Sequence, residues 1–179
     1  MSAEHDSIKR RTRSTTYRLP EDMLQGLDAV AKQEEVSQNV LVKQILDSYL
    51  RWDISAAKAG WVVMPRPVLM NIINELDEKK IIKIASDTAK IRHKGIVLSM
   101  QGKYDFDHWV QLIRDRSKKS GFYLKESTSN GKTTLIMIHD LGEKWSIFFK
   151  AYYQEMLHSL ELAPTFDYTD SMLVVTVER

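Results

Sequence analysis

The sequence predicts an α+β protein in two parts: an N-terminal ribbon with two helices, then a compact α+β domain with an antiparallel sheet. Three observations carry this reading. Apolar residues recur at helical spacing through the first half of the chain, giving successive amphipathic helices. Two apolar runs, Phe122-Tyr-Leu-Lys-Glu126 and Thr133-Thr-Leu-Ile-Met-Ile138, flank Ser129-Asn130-Gly131, and Asn-Gly supplies the positive φ angles that a tight hairpin requires. A last β-rich run, Met172-Leu-Val-Val-Thr-Val177, follows a further helix. Helices, then a hairpin, a helix and a strand, describe segregated α+β architecture.

In chain order, residues 1–12 carry little apolar content and are expected to form a flexible basic arm. Lys9, Arg10, Arg11, Arg13 and Arg18 lie within ten residues that contain no acid. Residues 14–19 alternate, placing Ser14, Thr16 and Arg18 on one face and Thr15, Tyr17 and Leu19 on the other. A lone strand exposes both backbone edges and must pair, and its nearest partner in composition is its own copy in a second chain. Pro20, followed by Glu21 and Asp22, suits a helix start, because proline lacks the N–H and the acids complement the dipole. Leu24, Leu27, Val30 and Ala31 make the apolar stripe of this helix, which should end near Glu34 or Glu35. Ser37 is positioned to cap a second helix, whose Val40, Leu41, Ile45, Leu46, Tyr49 and Leu50 form a broad apolar face. Its first turn, Gln38-Asn39, holds no acid, so its free N–H groups make an anion site.

The order of ribbon, helix, tight break and helix over residues 13–52 resembles the ribbon-helix-helix family of DNA-binding repressors. The resemblance implies a homodimer whose antiparallel two-stranded ribbon enters the major groove of double-stranded DNA. By that resemblance Ser14, Thr16 and Arg18 read base edges. Lys9, Arg10, Arg11 and Arg13 then fall beside phosphates, and Ser37, Gln38 and Asn39 clamp the DNA backbone. One departure stands out: the inter-helix turn of the family usually has a glycine where this chain has Glu35. Glutamate adopts positive φ reluctantly and adds negative charge beside the proposed phosphate.

Residues 53–59 read as a linker or a helix extension, and residues 60–179 as an oligomerisation or effector-sensing domain with no family resemblance. Gly60-Trp-Val-Val-Met64 is expected to be a short buried strand or an apolar docking segment, closed by Pro65-Arg66-Pro67. Val68 to Leu76 and Ile81 to Ile91 carry helical stripes around the charged Asp77-Glu78-Lys79-Lys80, as two helices or one broken helix. Residues 95–100 fit strand or helix. Asp105 can cap a helix that Gly121 stops, with Trp109, Leu112 and Ile113 facing inward. The next helix spans residues 143–160, with Pro164 expected to end it.

Composition bounds the function. A chain of 179 residues, 43% hydrophobic, can bury a core, and 26 basic against 24 acidic residues leave a net charge of +2 that does not itself announce nucleic acid. No cysteine is present, which excludes disulfides, thiolate metal sites and a cysteine nucleophile and fits a reducing compartment. No apolar run approaches the ~20 residues of a membrane span. Gly131-Lys132-Thr133 is not a phosphate-binding loop, since Glu126 stands where its first glycine belongs and a hairpin is the wrong context. His5, His93, His108, His139 and His158 show no zinc spacing. His139-Asp140 is the best polar pair, and such a pair more often satisfies backbone groups and opens a turn than performs chemistry. Trp52, Trp61, Trp109, Trp145, Tyr123, Tyr152 and Tyr153 could line a ligand pocket, though core and dimer interface are favoured.

The expected function is therefore a homodimeric, sequence-specific transcription regulator, a repressor by resemblance and not an enzyme. It would be cytoplasmic and prokaryotic, associated with the nucleoid when bound, and would need no cofactor or metal. Its partners would be double-stranded DNA, its own copy as a dimer or higher assembly, and a small-molecule or protein effector at the C-terminal domain, with no membrane. The alternatives are an antitoxin-like or scaffold protein that binds a protein partner, and, less favoured, a small enzyme with a dimerisation hairpin.

Overall fold

The computed structural model describes residues 12–178 and divides into two units, Met1–Leu46 and Asp47–Arg179. In the first unit, residues 12–20 carry neither helix nor strand within the single chain. Two helices follow, α1 (Glu21–Gln33) and α2 (Gln38–Ser48), whose last residues belong to the second unit. Pro20 precedes α1 and its carbonyl accepts the N–H of Leu24 at 3.1 Å, so the helix begins where the missing proline donor costs nothing.

The break between the helices is a Schellman turn. The N–H of Val36 reaches the carbonyl of Ala31 (2.9 Å) and that of Glu35 reaches Lys32 (3.2 Å), which puts Glu35 at the left-handed position with φ 55°. The turn thus keeps the geometry that favours glycine, with glutamate in it. Ser37 Oγ then accepts the N–H of Val40 at 3.2 Å, capping α2. Of the described residues in this unit, only Ala31 and Leu41 are buried, while Met23, Leu24, Val30, Val40, Ile45 and Leu46 are exposed. The apolar faces expected from the sequence exist, but a single chain does not cover them.

The second unit opens with a π-helical turn, Tyr49–Asp53, and α3 (Ile54–Ala56), so the segment expected as linker or extension begins as helix. Gly60 (φ 87°) terminates it, with the N–H of Trp61 bonded to the Ala56 carbonyl at 3.0 Å. Residues 61–65 form no strand, which corrects the expected buried strand: Val62 is 78% and Val63 104% exposed. The physical reason is that a strand needs a neighbour, and this segment pairs with neither edge of the sheet.

Then come α4 (Arg66–Asn74) and α5 (Glu78–Thr88), two helices parted at residues 75–77, where Asp77 caps α5 by accepting the N–H of Lys80 at 2.9 Å. A second π-helical turn, Ala89–His93, leads into α6 (Lys94–Gln101), which decides residues 95–100 as helix. Asp105 caps α7 (Phe106–Ser120) through the N–H of His108 at 3.0 Å, and Gly121 (φ 64°) ends it. Arg66 donates to the carbonyls of Ser120 (2.9 Å) and Gly121 (3.0 Å), tying the start of α4 to the negative end of α7.

The sheet contains β1 (Tyr123–Ser129), β2 (Lys132–Ile138), β3 (Pro164–Tyr168) and β4 (Met172–Glu178), in the order β1-β2-β4-β3, all neighbours antiparallel. Asn130 (φ 50°) and Gly131 (φ 74°) both take the positive φ expected of the Asn-Gly pair and set Ser129 opposite Lys132. Between the hairpin and β3 runs α8 (Glu143–His158). Its end corrects one expectation. The helix stops at its own Schellman turn, Leu162 N–H to Leu157 carbonyl at 3.0 Å with Glu161 at φ 60°, and Pro164 instead opens the edge strand β3. Leu135 and Met137 of β2, with Leu173, Val175 and Val177 of β4, bury one face of the sheet against Trp109, Val110 and Ile113 of α7 and Phe149, Tyr153, Met156 and Leu157 of α8. The chain is thus α+β with an antiparallel sheet.

Candidate functional site

The base-reading residues expected from the sequence, Ser14, Thr16 and Arg18, are all exposed, as is Arg13. Neither arginine enters an ion pair among the described residues. Lys9, Arg10 and Arg11 lie outside the described residues. At the proposed phosphate clamp, Ser37 and Asn39 are exposed and the first turn of α2 holds no acid. The Ser37 hydroxyl is engaged by Val40, and Gln38 Nε2 donates to the Leu24 carbonyl at 3.2 Å, fixing the start of α2 on α1. Both side chains therefore shape the helix start. Glu35, exposed, sits in the turn just before it.

In the second unit the His139-Asp140 pair is structural. His139 Nδ1 accepts the Leu141 N–H at 3.1 Å, so Nε2 carries the proton and donates to Ser146 Oγ at 2.9 Å, and that hydroxyl donates to the Thr169 carbonyl at 2.5 Å. Asp140 takes φ 53° and opens the turn. Every polar atom of this chain of bonds is used, and the serine proton is committed to a carbonyl rather than to a base. Burial pushes His139 down to about 4, against the partly opposing field of Asp140.

The same unit holds a cavity of about 300 Å³, lined by Ala59, Gly60, Trp61, Thr88, His93, Ile96, Leu112, Ile113, Arg116, Trp145, Phe148, Phe149 and Tyr152. Its walls are almost wholly apolar and aromatic. Trp61 packs against Trp52 with ring centroids 5.0 Å apart, and Phe148 stacks on Tyr152 at 5.8 Å. A few polar groups interrupt the apolar wall, Arg116, His93 and the hydroxyls of Tyr152 and Thr88 among them. Arg116, 8% exposed, projects from α7 at the spacing of Trp109, Leu112 and Ile113, which places its guanidinium among apolar side chains. It lies 4.9 Å from the Phe149 centroid and 5.4 Å from that of Tyr153, donates to the Tyr153 hydroxyl and approaches Met137 Sδ at 3.5 Å. No carboxylate pairs with it among the described residues. His93 comes from the π-helical turn before α6 and is 2% exposed, with Nδ1 3.1 Å from the Tyr152 hydroxyl. Burial, with the Arg116 charge adding to it, pushes His93 down to about 3, and burial pushes Tyr152 up to about 12.

Five buried side-chain polar atoms have no hydrogen-bond partner among the described residues, and three of them, Arg116 Nε, His93 Nε2 and Trp145 Nε1, belong to residues that line this cavity. The sequence reading named Trp61, Trp145 and Tyr152 as pocket candidates and the structure brings them together, whereas Trp52, Trp109 and Tyr153 are core and Tyr123 is 59% exposed. It missed Arg116 and His93. The signal for Arg116 was present: a basic residue at an apolar register of an amphipathic helix. His93 had no such signal, because the local π turn that buries it is set by packing.

No family model matches the chain, and no curated protein matches it. Among the described residues no group of three His, Asp or Glu side chains could hold a metal ion, and no helix is long and apolar enough to cross a membrane.

Proposed function

We propose that the protein is a homodimeric, sequence-specific DNA-binding regulator of transcription, acting in a prokaryotic cytoplasm. Residues 13–52 would be the DNA-binding part and the second unit the oligomerising or ligand-sensing part. One observation carries the dimer. The N-terminal helical pair buries only Ala31 and Leu41 and leaves the apolar stripes of both helices open, and so few residues cannot sustain a fold alone. A second copy would cover those stripes. It would also supply the antiparallel partner that residues 14–19 lack in one chain, turning two sets of Ser14, Thr16 and Arg18 to a common side. The acid-free segment with Arg13 and Arg18, and the capped, acid-free start of α2, support DNA as the ligand of that surface.

Band-shift titration of the intact protein on genomic fragments tests the reading. A sequence-preferring, salt-sensitive complex is expected, with Arg18→Ala losing about 1–3 kcal/mol and relaxing preference at one base pair. Arg10→Ala or Arg11→Ala should weaken all sequences alike and reduce the salt slope by about 1. A protein that sediments as a monomer, or an Arg18→Ala variant with unchanged affinity and preference, would contradict the assignment.

A further inference from the structure

The cavity of the second unit combines features that rarely coexist without a ligand. A guanidinium with no acidic partner among the described residues lies among aromatic rings, and burying a charge in that way is costly unless something opposite in sign offsets it. On two more residues of the lining, Trp145 Nε1 and His93 Nε2 lack partners among the described residues. Indole N–H can only donate, and His93 Nε2 donates in the tautomer whose Nδ1 accepts from the Tyr152 hydroxyl. The unpartnered buried side-chain atoms carried by the lining residues are therefore donors. Its remaining walls, Trp61, Ile96, Leu112 and Phe148 among them, are apolar.

We propose that this cavity binds a small monocarboxylate with an apolar body, an aryl acid or a branched aliphatic acid, whose carboxylate is held by Arg116, Trp145 Nε1 and His93 Nε2. A carboxylate has two oxygens with about four lone-pair sites, enough to serve several donors at once, and its single charge matches the single cation of the lining. A phosphate would bring a second charge with no cation to meet it and would waste the aromatic walls. A neutral ligand would leave the guanidinium uncompensated. The volume, about 300 Å³, lies at the small end of ligand pockets and suits one ring or a short branched chain. Neighbouring Phe149 and Tyr153 stack against the guanidinium and hold it in place, so little ordering cost falls on binding. The site gives chemical form to the ligand-sensing role proposed for this unit, yet its binding is measured without DNA, so it stands or fails separately from operator recognition.

The test is calorimetric titration of the full chain with benzoate and phenylacetate against the neutral benzamide and phenylacetamide, and against acetate and inorganic phosphate. Quenching of tryptophan fluorescence, to which Trp61 and Trp145 contribute, provides a second readout. At least one aryl acid is expected to bind about tenfold or more tightly than its amide and than acetate. Arg116→Met, which keeps the apolar stem, should erase that preference while leaving amide binding within a few-fold. Trp145→Phe keeps a ring and removes only the N–H, and should weaken the acid several-fold. Should Arg116→Met fail to fold, the acid-to-amide comparison on the natural chain and the Trp145→Phe variant decide the matter. The proposal is overturned if neither acid titrates at millimolar concentration, if acids and amides bind alike, or if phosphate or acetate binds as well as the aryl acids.

Discussion

His139 Nε2 donates to the hydroxyl of Ser146 across 2.9 Å, deep in the second unit, while Nδ1 accepts the Leu141 N–H at 3.1 Å, a bond that exists only while the imidazole is neutral. A buried neutral histidine links stability to pH. Folded His139 titrates at about 4 and His93 at about 3, against 6.5 for an unperturbed histidine. Above pH 6.5 neither state binds the proton, so stability is at its plateau. As pH falls below it the unfolded chain takes up protons that the native one refuses, and stability declines until the folded values are reached. The decline approaches about 1.4 kcal/mol per pH unit for each histidine. Urea melts from neutral pH to about pH 5 should show it, and a His139→Gln variant should lose part of the slope. A flat profile would contradict the neutral, bonded state of these rings.

Ser146→Ala removes the link between His139 and the Thr169 carbonyl. The buried His139 Nε2 then loses its partner, and the Thr169 carbonyl loses a donor, at a cost of about 1–3 kcal/mol. The loss should be seen in the denaturation midpoint of the second unit with the fluorescence of the native state unchanged. If the variant is as stable as the natural chain, the bonds carry no net stability.

Glu35 takes φ 55° in the turn between α1 and α2, and the same strain recurs at Glu161, φ 60°, after α8. A left-handed conformation costs an L-residue about 1–2 kcal/mol, which glycine escapes in part at the expense of its greater freedom when unfolded. Glu35→Gly should therefore stabilise the N-terminal unit by about 1 kcal/mol. The substitution also removes a negative charge that precedes the start of α2, so under the DNA-binding proposal it should tighten DNA binding at low salt. Thermal melts and band shifts of the single variant read the two effects independently. No gain in either would mean that the glutamate has a compensating contact.

Where a local rule fixes local geometry, the sequence was legible. Asn130-Gly131 dictated the hairpin, Asp105 and Gly121 bounded α7, and Ser37 capped α2, because each acts on backbone within a few residues of itself. Where tertiary placement decides, it was not. Trp61 to Met64 has the composition of a strand, yet it meets no sheet edge. Pro164 reads in the sequence as a helix stop, yet the helix has already turned at Glu161 and the proline opens β3. The lining of the cavity was half visible, since aromatic content marks candidates while the burial of Arg116 and His93 depends on what α8 packs against. Residues 14–19 remain the opposite case, an alternating pattern that finds no partner strand among the described residues.

Ile45 gives the dimer proposal its sharpest test, because a monomer and a dimer assign it opposite costs. In the single chain its side chain is 48% exposed on α2, beside Leu46 at 46% and one turn after the buried Leu41. If the chain were monomeric, Ile45→Asp would replace a solvent-facing apolar group by a soluble one and change stability by about 0.5 kcal/mol or less. If a second copy covers this stripe, the aspartate is driven into an apolar interface at a cost of about 3 kcal/mol or more on each side of the two-fold axis. The expected outcome is dissociation in sedimentation equilibrium, with loss of DNA binding, because each ribbon strand would lose its partner. The second unit should keep its own melting transition and, under the cavity proposal, its affinity for aryl acids, since its sheet and cavity draw on residues after Asp47. An Ile45→Asp protein that sediments and binds DNA as the natural chain does would place the dimer interface elsewhere.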